Sequence, residues 1–518
     1  MPASAISFRP GRPFRAGSAY TRLCVTLAIT LAAGCAVGPD FAPPTAPKEA
    51  GYTPEKLTPQ TNGAPGKLAG GAVQTFTDGQ DIPAEWWSLY HSDTLNTLIE
   101  AALQASPTLD AAKAALRQAQ ENASASRGAF YPSITGNVSA TREKISDATF
   151  GFPGGVSIFS VSTASVDVSY PLDVFGGVRR QVEASEATED YQRFQLVAAY
   201  LTLTSNVVTT AVTEASLRAQ IKAQREIIDI EQHELDVLRQ QLSLGGVAGG
   251  AVLAQEAILG QAKATLPPLE KQLAQSRNRL AVLAGRFPSE DIAAKFELEQ
   301  LSLPTDLPVS LPAKLIEQRP DIKSAEAQMH EASAQIGVAT ANELPQISLT
   351  GSIGNTASPA GGLLNPGVGI WSIGGSLAQK LFDGGTLLHQ RRAAVAAYDE
   401  AAAQYRGTVL SAFQNVADAL RALQTDADAL AANLAADQAA QKSLALSQEQ
   451  YRVGAITYTT LLNAEQTAQQ SRIALVQSQA ARFSDTAALF QALGGGWWNT
   501  ASGTFDAAKP DKPDSVRE

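Results

Sequence analysis

The chain of 518 residues carries two copies of one sequence pattern. The motif SPTL at 106–109 returns as RPDI at 319–322, and LAVLAG at 280–285 returns as LFQALG at 489–494. Self-similarity at a long, nearly fixed spacing indicates that one structural unit was duplicated. The sequence therefore predicts a pseudo-symmetric chain of two related units, each a mixture of short strands and very long helix.

Each copy contains a stretch that favours helix far longer than in an ordinary globular domain. Residues 178–244 contain neither Gly nor Pro, and residues 386–453 contain one Gly, Gly407, and no Pro. At 1.5 Å per residue, either stretch reaches roughly 100 Å as one helix, whereas globular helices average about a dozen residues. We therefore expect two long helical hairpins that turn at glycine-containing tips. A heptad-like seam predicts coiled-coil packing in the first copy; its residues are Leu217, Ile221, Ile228, Leu235, Leu238 and Leu242.

Between the helical stretches, apolar and small polar residues alternate with a period of two. The alternation covers 134–141 and 164–170 in the first copy, and 347–353 and 371–377 in the second. An apolar face opposite a Ser/Thr face is typical of the strands of an outer-membrane barrel. A half-buried antiparallel sheet in a soluble domain is the alternative interpretation of the same pattern.

The number of strands limits how such a barrel can close. A lipid-exposed sheet cannot leave an unpaired edge, and known membrane barrels begin at about eight strands. The four strands evident in one chain therefore cannot close alone. Two chains supply about eight strands, whose interior side chains largely fill, whereas three supply about twelve and leave room for an aqueous lumen. The sequence predicts an oligomer, and a role as a conduit favours three chains.

The N-terminus has the features of an export signal. Four arginines precede an apolar run at 23–33 that is too short to span a membrane as a stable helix. The run ends in LAAGC at 31–35, which resembles a bacterial lipobox with cleavage before Cys35 and acylation of its sulfur. An ordinary signal peptide with an incidental cysteine is the alternative. A single lipid attachment anchors a chain to a membrane leaflet without spanning it.

The net charge of −10 argues against nucleic acid as a partner.

The repeats and the N-terminal signals divide the chain into six segments. The expected segments are a lipoprotein signal peptide (1–34), a lipid-anchored extended tether (35–80), a first repeat (81–300), a Pro-containing linker (301–318), a second repeat (319–498) and a disordered tail (499–518).

Several motifs of the chain are similar to those of one known family. They are CAVGPDFAPP at 35–44, WW at 86–87, RPDI at 319–322, LFDGG at 381–385, VADAL at 416–420, YRVG at 451–454 and ALGGGW at 492–497. In combination they resemble the outer membrane efflux proteins, which are TolC-like, in the lipoprotein branch that serves RND-type pumps. The resemblance covers the chain from the lipobox to about residue 498.

This resemblance implies a fold that is mainly α with a β-barrel part. It implies a homotrimer with a 12-stranded β-barrel in the outer membrane and a periplasmic α-helical barrel of coiled-coil helices. The implied function is the exit duct of a tripartite efflux pump, which passively conducts small toxic compounds. Its implied partners are outer-membrane lipid, a periplasmic adaptor (membrane fusion) protein and an inner-membrane RND-type transporter, with no cofactor or metal. Protein export by a type I secretion system is the alternative use of a similar tunnel.

The resemblance also implies a role for the two hairpin tips in docking the adaptor. Small residues there permit a tight turn and close backbone approach. Simple helix capping is the alternative, and both interpretations can hold together. The corresponding residues are Gly245, Gly246, Val247, Val453, Gly454 and Ala455.

A periplasmic gate region is expected near the second tip, at Ile456, Thr460, Asn463 and Glu465. Related channels often have charged residues at the positions that correspond to the first three, which are uncharged here. Glu465 is the nearest acid. The sequence therefore predicts a closed state held by apolar and amide contacts rather than by a ring of carboxylates.

An enzyme and a structural scaffold are the competing classes of protein. The four histidines are scattered without metal-ligand spacing, and the chain has no C-x-x-C, G-x-S-x-G or P-loop motif. The sequence thus offers no catalytic or metal site. A coiled-coil periplasmic lipoprotein would account for Cys35 and the helices, but it would leave the four alternating strands unexplained.

Overall fold

A computed structural model describes residues 36–46, 51–55, 58–66, 68–146, 148, 154–358, 360–501 and 504–505. The described part of the chain is mainly helical, with 63% of those residues in helices. It divides into two units, each described by itself. The first unit comprises Met1–Phe41, Asn122–Glu186 and His330–Asp399, and the second comprises Ala42–Glu121, Ala187–Met329 and Glu400–Glu518.

The described residues form six strands and eight α-helices. The strands are β1 (Thr75–Asp78), β2 (Ser133–Ser146), β3 (Val156–Leu172), β4 (Asp306–Val309), β5 (Gln346–Ala357) and β6 (Gly369–Ala378). The helices are α1 (Asp93–Ala105), α2 (Pro107–Arg127), α3 (Gly177–Ser243), α4 (Gly249–Leu283), α5 (Pro312–Gln318), α6 (Pro320–Asn342), α7 (Thr386–Arg452) and α8 (Tyr458–Ala492).

One antiparallel sheet in the first unit joins the strands of both repeats. Its order is β2-β3-β5-β6, so the second strand of the first copy pairs with the first strand of the second copy. The register sets Tyr170 opposite Leu349 and Ser165 opposite Gly354. All four segments predicted to be strands lie in this sheet, and each extends beyond its predicted bounds.

The two faces of this sheet differ in chemistry. On one face the apolar side chains are open: Val138 and Ile373 are each 84% exposed, and Trp371 is 78% exposed. On the other face the small polar residues bond laterally, and the Asn137 amide donates to Asp167 Oδ2 at 2.6 Å. The sheet therefore presents a large apolar surface of the kind that marks an interaction site or a membrane contact.

Two long helical hairpins follow the strands, as the sequence predicts. The helices α3 and α7 have 67 residues each, and each is followed by a helix of 35 residues, α4 or α8. Equal lengths in both copies are the structural counterpart of the sequence repeat. Among the described helices, only α3 contains an 18-residue window apolar enough to cross a membrane, and 56% of that window is buried, as in a core helix.

At the end of each hairpin, a glycine packs closely against the last residue of an earlier helix. Gly285 and Gly494 have φ angles of 71° and 97°. A Cβ at Gly285 would lie 2.2 Å from the Ala105 carbonyl oxygen, and one at Gly494 would lie 2.8 Å from that of Gln318. Ala105 ends α1 and Gln318 ends α5, so the two repeats use the same close backbone approach.

A pair of short parallel strands joins two segments that the sequence assigned to a tether and a linker. β1 pairs with β4, with Thr75 opposite Asp306. A little further on, the Trp86 ring stacks on Phe490 with 5.3 Å between ring centroids. The composition of residues 35–80 indicates extended backbone, but it does not reveal that part of this segment joins a sheet.

Phe505 lies in the segment predicted to be a disordered tail, and it is buried. It belongs to a core cluster with Leu109 and Leu196. Its ring centroid lies 5.2 Å from that of Tyr200 and 6.2 Å from that of Trp497. Phe505 is therefore packed within the second unit, whereas Ala501 and Thr504 are exposed.

Candidate functional site

The two predicted docking tips have the same backbone construction. In the first, Gly245 has a φ of 78° and the Gly246 N–H donates to the Gln241 carbonyl at 2.8 Å. In the second, Gly454 has a φ of 75°, and the matching backbone bond is also 2.8 Å long. Such bonds close a helix around one left-handed residue, a conformation that glycine adopts without steric cost.

Both tips are open to solvent. Leu244 is 79% exposed and Val453 is 62% exposed. Each tip therefore offers a glycine turn beside an aliphatic side chain. Of the residues predicted to dock the adaptor, only the side chain of Val247 is half-buried, against a cluster that contains Leu235, Leu238, Val252 and Leu259; the exposed ones are Gly245, Gly246, Val453, Gly454 and Ala455.

The predicted gate residues do not form one group. Ile456 is half-buried, whereas Thr460 and Asn463 are exposed. The Thr457 hydroxyl caps the start of α8 by accepting a hydrogen bond from the Thr460 N–H at 3.4 Å. Glu465 is 3% exposed and lies inside the second unit instead.

Glu465 is one of two carboxylates buried between the hairpins. The other is Glu231 of α3, which is fully buried. Glu231 accepts hydrogen bonds from the side-chain amides of Gln255 at 2.6 Å and Gln469 at 2.5 Å. The Tyr458 hydroxyl donates to the Gln255 amide oxygen, which extends the network to α8. Four polar side chains thus connect α3 and α4 of the first hairpin with α8 of the second.

The electrostatics of this network favour a proton on Glu465. Burial, and then the charges of Glu231 and Glu234, raise the pKa of the Glu465 carboxyl to about 8. Burial also raises the pKa of Glu231, although the hydrogen bonds from Gln255 and Gln469 act to lower it. Glu231 therefore has two amide donors, whereas Oε2 of Glu465 has no hydrogen-bond partner among the described residues.

The heptad pattern of α3 contains a sign of this network that apolar residues alone do not reveal. The seam skips from Ile221 to Ile228 and then to Leu235, leaving one core position unassigned in each interval. Gln224 and Glu231 fill those positions, at 4% and 0% exposure. A polar residue in a coiled-coil core position often specifies partner or register, and it would have identified this layer.

The segment after the predicted lipidation residue is held by a buried arginine of the first unit. Cys35 itself lies outside the described residues. The Arg180 guanidinium, 5% exposed, donates to Asp40 Oδ1 at 2.6 Å and to the Val37 carbonyl at 3.2 Å. The Val37 N–H donates to the Phe175 carbonyl at 3.0 Å. These bonds fix the chain beside the junction of β3 and α3.

Two glycines and an aromatic contact complete this attachment. A Cβ at Gly38 would lie 2.5 Å from the Gly337 Cα, so the two backbones touch. The Phe41 ring stacks on His330 with 4.4 Å between centroids, and His330 Nε2 lies 2.9 Å from Glu183 Oε1. The described part of the sequence motif, from Val37 to Phe41, is therefore docked on the fold.

Within the described part of the chain, no group of three or more His, Cys, Asp or Glu residues is arranged to hold a metal ion. Among the buried carboxylates, Glu231 is bonded to amide groups, and Glu214 is paired with Arg218 and Arg277. His91 closes a short turn with a φ of 48°, and His330 packs on Phe41. Nothing in these arrangements builds a nucleophile, a base and an acceptor into one cleft.

Comparison with known proteins agrees with the repeated hairpins. The family model described as "Outer membrane efflux protein" matches residues 98–286 and again residues 311–495. The chain belongs to the outer membrane efflux protein family. Its members are outer-membrane channel and efflux proteins, not enzymes, so the resemblance seen in the sequence motifs is confirmed.

Two relatives and two solved structures illustrate the similarity. The pyoverdine export outer membrane protein OpmQ of Pseudomonas aeruginosa is 31% identical over 440 residues, covering 82% of this chain and 90% of that protein. The toluene efflux pump outer membrane protein TtgC of Pseudomonas putida is 27% identical over 449 residues, covering 86% and 92%. The outer-membrane channel OprN matches with a TM-score of 0.80 at 26% identity, covering 89% of this chain and 100% of that one. VceC of Vibrio cholerae matches with a TM-score of 0.75 at 28% identity, covering 80% and 100%.

Proposed function

We propose that three copies of this chain form the outer-membrane exit duct of a tripartite efflux pump. The observation that carries the proposal is the sheet β2-β3-β5-β6. In the described structure β2 and β6 are each paired on one side only. The apolar face of the sheet is open. In lipid, such edges must be paired, and neighbouring copies of the same sheet can pair them.

The chemistry of the sheet supports a barrel with an aqueous interior. The face opposite the apolar rows carries Asn, Asp, Ser and Thr, which suits a water-filled lumen. Tyr131 and Phe382, beside the ends of the outer strands, are 72% and 92% exposed. Exposed aromatic residues at strand ends are typical of the interfacial girdle of a membrane barrel. Three sheets of four strands give a barrel of about twelve, wide enough for small solutes.

The proposed cargo is a small organic compound that is toxic to the cell. Relatives bear names that refer to pyoverdine, antibiotics and toluene. Conduction through the duct is passive, since neither the sequence nor the described structure contains a nucleotide-binding loop. The energy is supplied by an inner-membrane RND-type transporter. A periplasmic adaptor connects the two by docking on the hairpin tips, and acylated Cys35 anchors the chain to the outer membrane.

The proposal is tested by complementing a deletion strain. Loss of the gene should increase accumulation of a fluorescent efflux dye and sensitivity to solvents or antibiotics, and the wild-type gene should restore both. Ile373→Arg places a charge on the apolar face, at a cost of about 2–4 kcal/mol near the bilayer midplane, and should not restore efflux. Ser372→Arg, the matched control on the polar face, should retain it.

Two outcomes would contradict this function. Unchanged tolerance of dyes, drugs and solvents after deletion would remove the support for efflux. Loss of a secreted protein with unchanged dye efflux would instead indicate a type I secretion system. Equal behaviour of the two arginine variants, measured at equal protein levels, would contradict the assignment of the lipid-facing side of the sheet.

A further inference from the structure

Two buried carboxylates lie between the hairpins, one contributed by each hairpin. Glu231 belongs to α3 of the first hairpin, and Glu465 belongs to α8 of the second. Both border one cavity of about 360 Å³ between α3, α7 and α8. Only 3% of Glu465 is exposed to solvent. Each hairpin therefore contributes one buried carboxylate to this cavity.

The two carboxylates are supplied with hydrogen bonds unequally. Glu231 receives two amide donors, from Gln255 at 2.6 Å and Gln469 at 2.5 Å. Glu465 Oε2 is buried without a hydrogen-bond partner among the described residues. An ionised carboxylate in that position lacks donors and lies near a second negative charge, which is a costly arrangement. A protonated one removes the repulsion and can itself donate.

The other titratable groups around Glu465 do not supply a compensating cation. Arg472, on the same helix, lies 3.7 Å from Asp437 Oδ2 and is directed to that carboxylate. From α4 the nearby group is the neutral amide of Gln255. The other titratable groups that border the cavity or act on this network are Glu226, Glu231, Glu234 and the exposed His233 of α3, Tyr451 of α7 and Tyr458 of α8.

We propose that protonated Glu465 fastens the second hairpin to the first near their tips, and that ionisation of Glu465 releases it. We call this contact of Glu465 with the first hairpin the latch. Its role rests on the proposed function, because the latch would control how easily the periplasmic end of the duct opens. Tyr458, bonded to Gln255, lies at the beginning of α8. Glu465 follows Tyr458 by about two helical turns, so repulsion between Glu231 and Glu465 acts near the gate region expected at the second tip.

The direction of the pH dependence follows from the packed and released states. The pKa of Glu465 is about 8 when packed, against an ordinary value of 4.5 that applies once the side chain reaches water. The packed joint therefore binds more protons than the released one. Its stabilisation by the proton is complete below pH 4.5 and is lost as the pH rises through about 8.

Hydrogen exchange of the full lipoprotein in detergent tests the latch without relying on transport. After correction for intrinsic exchange rates, protection of residues 458–469 should fall by up to about a hundredfold between about pH 6 and pH 9. Glu465→Gln keeps the shape and stays neutral, so its protection should change little over this range. Asp485→Asn is the matched control, because Asp485 also lies on α8 with a pKa raised by burial and by Asp426. It should retain the wild-type dependence.

Planar-bilayer conductance provides the second readout. Wild-type conductance should rise with pH across the same range, and Glu465→Gln should flatten the curve. If the exchange profile depends on pH but the protein conducts no ions, the latch is supported and the proposed function as a duct is contradicted. Identical exchange profiles in wild type and Glu465→Gln, both with normal helical circular dichroism, would overturn the latch. A profile flattened only by Asp485→Asn would also overturn it.

Discussion

The Arg180 guanidinium donates to three oxygen atoms of the segment that follows Cys35. Its partners are Asp40 Oδ1 at 2.6 Å and the carbonyls of Val37 at 3.2 Å and Gly38 at 3.5 Å. Gly337 leaves room for this side chain, since a Cβ there would lie 2.6 Å from Arg180 Cγ. Residues Val37 to Asp40 are thus held against the start of α3.

Replacement of Arg180 by alanine should free this segment. Loss of the charge-assisted bonds of the buried guanidinium costs about 1.5 kcal/mol, at the low end of the usual range because Asp40 is 96% exposed, and this corresponds to roughly tenfold in local opening. Limited proteolysis of the detergent-solubilised protein should therefore cut within residues 36–46 about tenfold faster. Arg179→Ala is the matched control, because Arg179 is 41% exposed and bonds to Asp173. Equal cleavage of the two variants would contradict the role of Arg180.

The hairpin tips show how two elements of unlike sequence adopt one construction. Gly245 and Gly454 both occupy the left-handed position that ends a long helix. The next residues differ: the first tip continues into Gly249 and Gly250, whereas the second continues through Thr457, which caps α8. The first tip is therefore closed mainly by backbone bonds, and the second also by a side chain.

Gly245→Ala should destabilise the first tip. A residue with a Cβ in the left-handed region costs roughly 1–2 kcal/mol, so amide exchange at residues 241–247 should accelerate by about fivefold or more. Gly249→Ala is the control within the same turn, because a Cβ there meets open space and it begins α4. If both variants exchange at the same rate, the left-handed position does not determine the stability of this tip.

Sequence periodicity predicted the elements better than their surroundings. The period-two runs located β2, β3, β5 and β6, and the stretches free of Gly and Pro located α3 and α7, because these patterns record the local shape of the chain. The pairing of β1 with β4 was not predicted, since four residues of extended backbone carry no periodic signal. The buried Glu231 was missed because apolar positions alone defined the seam.

At the scale of the candidate site, the sequence identified the turns but not the side chains behind them. Both tips are where the glycines placed them. Glu465, expected near the gate with unknown orientation, lies buried against the first hairpin. That position depends on contacts between α3 and α8, which are more than two hundred residues apart, as the 238-residue separation of Glu231 and Gln469 illustrates. Such packing cannot be derived from local spacing.

For the whole molecule, a closed barrel requires neighbouring chains to complete one sheet. The outer strands β2 and β6 must pair with each other between copies, so a cysteine on each edge should come within reach of a cysteine on the next chain. Cys24 lies in the predicted signal peptide and Cys35 is the predicted acylation site, and these are the two native cysteines. Introduced cysteines would therefore be the only free thiols of the mature, acylated chain.

Chemical cross-linking between these strand edges tests directly whether three chains close one barrel. In outer membranes treated with a short bis-maleimide, the double variant Ser139→Cys/Ser372→Cys should give a denaturation-resistant product of three chains. Each single variant should remain monomeric on the same gel, because a link needs one cysteine on β2 and another on β6. A double variant that yields only monomers, or a ladder that continues beyond three chains, would contradict a closed barrel of three chains.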